Sequence, residues 1–205
     1  MHTFAIIPAA GRSRRMGQPK LLLPWGNSTV IEHVLAAWRA SRVDHVILVV
    51  DPSDERLAEI GAACNAQVVV PAEPPSEMKD SVRLALEWVQ SRRPQSDDAW
   101  LVAPADMPGV SPDVINRLIE AHAAGLGAGR GTPRIRAPRH GTKRGHPVLF
   151  PWPLAAEVAG LGDAEGLNVL VARHGVEFVE APPDAAAEDF DTPEEYERLR
   201  ARFGQ

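Results

Sequence analysis

Residues 11–20 combine the features of a phosphate-binding loop. The apolar run 4–7 predicts a short buried strand, and the chain then enters a loop that contains two glycines and four cations. Small residues at a strand end let backbone N–H groups approach an anion, and cationic side chains neutralise a polyphosphate. The spacing is neither that of G-x-x-x-x-G-K-[ST] nor that of G-x-G-x-x-G, so the sequence predicts a phosphate loop of another kind. The glycines and cations are Gly11, Arg12, Arg14, Arg15, Gly17 and Lys20.

A carboxylate follows another apolar run. Residues 99–103 predict a buried strand, and Asp106 lies in the loop that leaves it. Sheets of parallel strands place ligand-binding groups at the carboxyl ends of their strands. A carboxylate there could hold a Mg²⁺ ion that bridges phosphates, and the structural alternative is an Asx turn before the next helix.

Two further carboxylates, Asp189 and Asp191, precede a predicted C-terminal helix. Alternation places both on the same side of an extended strand, so their spacing does not choose between them as a second metal ligand. Asp191 could also interact favourably with the dipole at the helix N-terminus, and the two roles are compatible.

The segment 121–151 is basic and contains no Asp or Glu. A segment of this kind suits an anionic small ligand. Within it, Gly145 allows a close backbone approach, and His146 could donate a hydrogen bond to a substrate phosphate, although a lone histidine is more often structural. Its cations are Arg130, Arg134, Arg136, Arg139, Lys143 and Arg144.

Strand and helix patterns alternate along the chain. This alternation indicates parallel strands joined by right-handed crossovers. Helices are predicted to follow the capping box at Thr29 and Glu32, the turn 51–54, the proline-rich loop 71–76, Ser111 and Thr192. The glycine-rich stretch 125–131 is predicted to be a loop that could form a lid. The predicted strands are 4–7, 45–50, 67–70, 99–103, 134–137, 147–150 and 176–179.

These elements predict a Rossmann-like α/β fold. We expect a three-layer α/β/α sandwich with a mostly parallel sheet and one antiparallel strand, formed by residues 1–205 as a single domain. The net charge of −5 argues against a nucleic-acid partner. Cys64 is the single cysteine, no apolar run reaches membrane-spanning length, and no secretory signal is present, so a cytoplasmic location with no membrane partner is expected.

The loop Pro-Ala-Ala-Gly-Arg-Ser-Arg-Arg-Met-Gly-Gln-Pro-Lys at 8–20 resembles the signature L-A-A-G-x-S-x-R-M-G-x-x-K of the nucleotidyltransferase superfamily. Its continuation, Leu-Leu-Leu-Pro-Trp-Gly, is most similar to the molybdopterin cytidylyltransferase branch. Similar motifs continue to residue 196, including D-M-P at 106–108 and G-H-P-V-L-F at 145–150. The chain departs from the family at Pro8, where leucine is usual.

The resemblance implies a role for each matching position. The catalytic residues are Arg15, Lys20 and Asp106. The nucleotide is bound by Ala9, Ala10, Gly11, Arg12, Ser13, Arg15, Lys20, Ser81 and Asp106. The acceptor substrate is bound by Arg144, Gly145, His146 and Pro147. The metal ligands are Asp106 and Asp191, with Asp189 as the partner of Asp191.

Two segments depart from the family pattern. Residues 76–83 align with a G-M-S-S-S-L-R segment that contacts the base and ribose. Ser81 and Arg83 persist, but Glu77, Lys79 and Asp80 replace small residues. Bulky charged groups there would crowd a base or change which base is accepted. The loop 162–166 has one residue more than the usual G-D-x-G.

The resemblance implies a Mg²⁺-dependent transfer of CMP from CTP to a phosphate of molybdopterin, with release of pyrophosphate. It implies a nucleoside triphosphate and an anionic, phosphate-bearing small molecule as partners, and a molybdoenzyme or its chaperone as the acceptor of the product. A sugar or polyol phosphate is the alternative acceptor. A nucleotide-binding module without catalytic activity is the alternative from another class.

Overall fold

A twisted central sheet carries helices on both faces. The computed structural model describes residues 1–11, 16–127, 134–140, 143–181 and 188–204. Short 3-10 turns span Lys20–Leu22 and Trp152–Leu154. The strands are β1 (Thr3–Ala9), β2 (Pro24–Trp25), β3 (Ser28–Thr29), β4 (His45–Val50), β5 (Gln67–Val69), β6 (Ala99–Val102), β7 (Ile135–His140), β8 (Lys143–Arg144), β9 (Val148–Pro151) and β10 (Val176–Glu180). The helices are α1 (Val30–Arg39), α2 (Glu55–Ala63), α3 (Met78–Gln90), α4 (Pro112–Gly127), α5 (Ala155–Ala159), α6 (Asn168–His174) and α7 (Pro193–Phe203).

The strand order in the main sheet is β10-β7-β9-β6-β1-β4-β5, with β8 paired to β7. Strand β1 lies between β4 and β6 and is parallel to both. Strand β9 is antiparallel to β6 and to β7. The predicted fold class is therefore confirmed, including the antiparallel strand, and the carboxyl ends of β1, β4 and β6 meet at one edge of the sheet.

Alternate side chains of the strands form two separate cores. Ile7 and Leu48 face the layer that contains α1, α4 and α7. Ile6 and Ile47 face the layer that contains α3, α5 and α6. Because both faces are covered, the central strands are apolar throughout instead of alternating with polar residues.

Capping residues define where α1 and α7 begin. The Thr29 side chain accepts from the backbone N–H of Glu32, and the Glu32 carboxylate accepts from the backbone N–H of Thr29, as the sequence predicts. Thr192 and Glu195 form the same arrangement at α7. The Glu195 carboxylate also accepts from the backbone N–H of Asp191 at 2.8 Å. The cap of α7 therefore holds the backbone of Asp191.

The structure fixes the start of α3 and extends α4 beyond its predicted end. Helix α3 begins at Met78 because the Asp80 carboxylate accepts from the backbone N–H of Glu77 at 3.0 Å. Helix α4 continues to Gly127, so the loop predicted from residue 125 begins later. A Cβ atom at Gly125 would lie 2.6 Å from an Arg136 Nη atom. The glycine therefore admits the Arg136 side chain against the helix, and residues 128–133 lie outside the described ranges.

The segment around Asp189 and Asp191 is not a strand, which corrects the extended conformation assumed from the sequence. The segment packs against α7 and has no strand as a neighbour in the described ladders. None of the described helices is both long and apolar enough to cross a membrane.

Candidate active site

A cavity of about 750 Å³ opens at the carboxyl ends of β1 and β6. One wall comes from β1 and the loop after it, and the opposite wall from residues 74–78 and Ser81 at the start of α3. The residues 104–106 and Asp191 line the space between these walls. The side chains and backbone groups that line it include Pro8, Ala9, Ala10, Gly11, Met16, Lys20, Leu21, Pro104, Ala105 and Asp106.

The end of β1 positions the first wall. Strand β6 pairs with β1 as far as Ile6, opposite Val102. Beyond that point the carbonyl of Pro8 accepts a hydrogen bond of 3.1 Å from the backbone N–H of Ala105. The family usually has leucine at position 8, but the proline still supplies this carbonyl. The contact holds the signature loop next to the loop that carries Asp106.

Lys20 lies between two carboxylates from distant parts of the chain. Its Nζ atom donates to Asp106 Oδ2 at 2.5 Å and to Asp191 Oδ1 at 2.9 Å. A further hydrogen bond of 3.1 Å reaches the carbonyl oxygen of Phe190. The side chains of Lys20 and Asp106 are largely buried, with 13% and 16% of their surface exposed. The predicted convergence of the signature-loop lysine with both aspartates is thus present in the structure.

The two carboxylates keep Lys20 protonated. Burial, the largest single influence, lowers the pKa of Lys20, but hydrogen bonds to Asp106 and Asp191 and their negative charges together outweigh it. The resulting pKa lies above the ordinary value of 10.5. Lys20 therefore carries a fixed positive charge at the mouth of the phosphate loop at neutral pH.

The donor set fits a hard divalent cation. Asp106 Oδ1 is buried and has no hydrogen-bond partner among the described residues. A bound cation could take this oxygen as a ligand. Asp191 supplies a second carboxylate on the same cavity. No group of three or more His, Cys, Asp or Glu side chains suited to a metal occurs among the described residues. Mg²⁺ commonly takes one or two carboxylates and completes its shell with substrate phosphates and water.

Asp189 and Asp191 occupy different environments. Asp191 is half-buried and lines the cavity, whereas Asp189 is exposed and is not among the lining residues. Phe190 between them is fully buried, with its ring 5.5 Å from the ring of Tyr196 in α7. The aromatic anchor and the cap of α7 together place Asp191, and not Asp189, beside Lys20.

The predicted acceptor residues lie beside the cavity, not in its wall. Arg144 donates to the side-chain oxygen of Asn168. The His146 Nδ1 atom lies 3.4 Å from the carbonyl oxygen of Val102, the last residue of β6. Burial lowers the pKa of His146, with a smaller contribution from the charge of Arg144, while Asp189 and Asp106 act in the opposite direction. His146 is therefore a neutral ring near both carboxylates, and none of Arg144, Gly145, His146 and Pro147 appears among the lining residues.

Three predicted site residues lie outside the described residues, and two lining residues were found only in the structure. Arg12, Ser13 and Arg15 lie outside the described residues, as does Arg14 of the same loop. Pro74 and Pro75 line the cavity, although the sequence pattern assigned them no role. The proline-rich loop after β5 was the available signal, because it follows a strand whose carboxyl end lies at the edge of the sheet that carries the site.

The chain matches a family model and is similar to several known proteins. A family model described as the MobA-like NTP transferase domain matches residues 5–178. The purine catabolism protein PucB of Bacillus subtilis (strain 168) is 28% identical over 217 residues, covering 97% of this chain and 96% of PucB. The 2-C-methyl-D-erythritol 4-phosphate cytidylyltransferase of Enterobacter sp. (strain 638) is 36% identical over 119 residues, covering 56% of this chain and 48% of that enzyme.

Solved structures show the same architecture over the whole chain. Rv0371c from Mycobacterium tuberculosis H37Rv superposes with a TM-score of 0.78 at 29% identity, covering 98% of this chain and 99% of that one. Rv0371c in complex with manganese gives a TM-score of 0.75 at 28% identity, with the same coverage.

Proposed function

Because the chain belongs to the MobA-like NTP transferase family and is a nucleotidyltransferase of that family, we propose that it transfers CMP from CTP to a phosphate of molybdopterin. Pyrophosphate is the second product. The observation that carries this proposal is the contact of Lys20 with Asp106 and Asp191 on a cavity lined by the signature loop. A cation and two carboxylates at one end of a deep cavity suit a metal-bound triphosphate.

The proposed reaction is a direct displacement at the α-phosphorus. An oxygen of the acceptor phosphate forms a new P–O bond, and the bond to the bridging oxygen of pyrophosphate breaks and leaves its electron pair on pyrophosphate. The attacking oxygen is already anionic at neutral pH, so the mechanism needs no protein nucleophile. Lys20 and the backbone N–H groups of residues 9–11 hold the triphosphate and stabilise the charge that develops on it.

Asp106 and Asp191 are the proposed ligands of a Mg²⁺ ion. The ion, when bound, neutralises the triphosphate charge and assists the departure of pyrophosphate. The buried Oδ1 of Asp106 and the exposure of Asp191 to the same cavity support this assignment. The manganese complex of the similar protein Rv0371c supports a divalent ion without choosing magnesium.

The choice of CTP rests on two observations. Residues 9–11 are Ala-Ala-Gly, which resembles the cytidylyl branch more than the Ala-Gly-Gly of the guanylyl branch. The similar enzyme from Enterobacter is, by its name, a cytidylyltransferase, and its matched region covers more than half of this chain. The same similarity favours a polyol phosphate as the second candidate acceptor.

Pyrophosphate release separates these candidates. We would incubate the protein and Mg²⁺ with CTP, GTP, ATP or UTP, each with molybdopterin or with 2-C-methyl-D-erythritol 4-phosphate. We expect pyrophosphate release with CTP and molybdopterin. Release with the polyol phosphate but not with molybdopterin would replace the first acceptor by the second. Nucleotide binding without release in any combination would favour the inactive binding module.

The cellular setting follows from the same proposal. The lone Cys64 supports a cytoplasmic enzyme, in which the finished cofactor passes to a molybdoenzyme or its chaperone. We also propose that residues 1–205 act as one nucleotidyltransferase domain, because eight described strands, including β1 and β10, share one sheet.

A further inference from the structure

Lys79 is a buried lysine at the start of α3, at a position where the family pattern has a small residue. Only 6% of its side-chain surface is exposed. An ammonium group has three N–H donors, and its burial is tolerated when each of them finds an acceptor. Lys79 Nζ donates to the carbonyl oxygens of Gly162 at 2.6 Å and Asp163 at 2.5 Å, and lies 3.1 Å from a Glu77 carboxylate oxygen.

These contacts join the cavity wall to the loop 162–166. Glu77 lines the cavity, whereas Lys79 does not. The loop is also closed internally, because the Glu165 carboxylate accepts from the backbone N–H of Gly162 at 2.8 Å. The side chain that was expected to crowd the base therefore points into the loop, and only Glu77 among the three charged replacements faces the cavity.

The position of Glu77 carries an electrostatic cost for a triphosphate. A carboxylate in the wall of the cavity repels the phosphates, and this repulsion is largest when the carboxylate has no cation beside it. Lys79 supplies that cation from behind the wall. The same ammonium group donates hydrogen bonds to two carbonyl oxygens of the loop. One side chain therefore both neutralises Glu77 and holds the loop.

The loop also borders the proposed acceptor residues. Asn168 is the first residue of α6 and lies two residues beyond Gly166. Its side-chain oxygen accepts a hydrogen bond from Arg144. The segment 162–168 is therefore held by Lys79 at one end and by Arg144 at the other. These contacts link the start of α3 to the proposed acceptor residue Arg144.

We propose that Lys79 is a positioning residue, which neutralises Glu77 in the wall of the nucleotide cavity and tethers the loop 162–166 to that wall. This inference rests on the proposed function for the nucleotide, while the tether stands on the contacts alone. Glu77 and Lys79 form a specificity element of this chain, since the small residues of the family pattern provide neither group.

A double-mutant cycle tests the electrostatic part. Binding of CTP with Mg²⁺ is measured by calorimetry for the wild-type chain, Lys79→Met, Glu77→Gln and the double variant. We expect Lys79→Met to weaken binding about tenfold, because an unpaired carboxylate then faces the triphosphate. The double variant should recover most of this loss, since the repelling charge is gone. Arg117→Met, which removes an exposed ion pair with Asp113 on α4, is the matched control.

Hydrogen exchange tests the tether without any nucleotide. Amides of residues 162–166 should exchange at least about tenfold faster in Lys79→Met and in the double variant, but not in Arg117→Met. The neutralising role is overturned if Lys79→Met binds CTP with the same affinity as the wild-type chain. It is also overturned if the double variant binds CTP as weakly as Lys79→Met. Unchanged exchange in the loop overturns the tether. Absence of CTP binding by the wild-type chain would instead overturn the proposed donor, so the two failures are distinguishable.

Discussion

Lys20 connects three parts of the chain that are far apart in sequence. Its two carboxylate partners lie 86 and 171 residues away. The contact resembles a metal site in its charge balance, because the ammonium group neutralises two acids that share one cavity. The signature loop therefore contributes a positioned cation, and the chemistry depends on what Asp106 and Asp191 hold beside it.

Replacing Lys20 by methionine should weaken CTP binding about 10- to 100-fold, because a hydrogen bond to a charged group contributes about 1.5–3 kcal/mol. Isothermal titration calorimetry with CTP and Mg²⁺ measures the change. Lys20→Arg serves as the control that keeps the positive charge, and we expect it to retain part of the affinity. Equal affinity in Lys20→Met and the wild-type chain would remove Lys20 from the phosphate site.

The substitution Asp106→Asn keeps the size of the side chain and removes its charge. We expect turnover to fall by at least about 100-fold, as for other losses of transition-state electrostatics. Pyrophosphate release at increasing Mg²⁺ concentrations measures it, and added Mg²⁺ should restore little activity. Asp189→Asn is the matched control, because Asp189 is exposed and does not line the cavity. A larger loss in Asp189→Asn than in Asp106→Asn would contradict the assignment.

At the scale of elements, α7 places the second carboxylate. Its capping box holds the backbone of Asp191, while Phe190 and Tyr196 pack in the same core as β1. The Tyr196 hydroxyl also donates to the carbonyl of Pro24 in the β2–β3 hairpin. The C-terminal helix therefore docks on the segment that follows the signature loop.

The Phe190→Ala substitution should lower the free energy of unfolding by about 3–5 kcal/mol, because it empties a fully buried aromatic site. Urea unfolding measures the effect. Phe178→Ala provides the matched control, since Phe178 in β10 is 40% exposed and should contribute about 1 kcal/mol or less. Similar losses in both variants would show that Phe190 does not anchor the segment.

Helix α4 meets β7 through a buried histidine. His122 Nε2 lies 3.2 Å from the carbonyl oxygen of Asp97, and its Nδ1 lies 3.3 Å from Nη1 of Arg136. The carbonyl accepts and the guanidinium donates, so the ring is neutral with its proton on Nε2. Burial lowers the pKa of His122 below 6.5 and the charge of Arg136 lowers it further, while the contact with Asp97 and the charge of Asp98 oppose them.

This contact predicts an acid-sensitive stability. The unfolded chain binds a proton on His122 at a higher pH than the folded chain does, so the stabilisation is present above about pH 6.5 and decreases as the pH falls below it. Urea unfolding between pH 7.5 and 5 measures the decrease in the wild-type chain and in His122→Gln. The free energy of unfolding should decrease less in His122→Gln than in the wild-type chain. The same pH dependence in both proteins would exclude His122 as the source of the decrease.

The whole molecule combines a negative net charge with a cavity built around a fixed cation. The net charge is −5, yet the phosphate end of the cavity presents Lys20 and the backbone of the signature loop. The walls come from the sheet and from a helix that covers it, since Pro8 and Ala9 end β1 and Met78 begins α3. A nucleotide bound between them would contact two layers of the fold at once.

Binding of CTP with Mg²⁺ should therefore stabilise the entire domain. At a ligand concentration of about 100 Kd, the expected gain is about 2.7 kcal/mol, which corresponds to a rise in Tm of about 5–10 °C for a chain of this size. Differential scanning fluorimetry measures the shift, with CTP in the absence of Mg²⁺ as the control. A smaller shift with Mg²⁺ than without it would contradict joint binding of metal and nucleotide.

Local patterns in the sequence account for much of the fold. The strands, the capping boxes at Thr29 and Thr192, and the loop with Lys20 are recognisable because periodicity and turn chemistry involve neighbouring residues. The sequence pattern did not place the start of α3, because that start depends on the Asp80 carboxylate turning back to the Glu77 backbone. The longer α4 was missed because Gly125 was interpreted as the start of a loop, whereas in the structure its lack of a Cβ leaves room for the Arg136 side chain beside the helix.

The sequence by itself determined the fold class and the residue types of the proposed triphosphate site, since both depend on short-range spacing. Only the tertiary structure decided which carboxylate meets Lys20 and where Lys79 points. Asp189 and Asp191 are equivalent in spacing, and the burial of Phe190 against Tyr196 separates them. Lys79 has its carbonyl partners more than 80 residues away, at Gly162 and Asp163. Such contacts depend on the packing of whole layers, which no local pattern records.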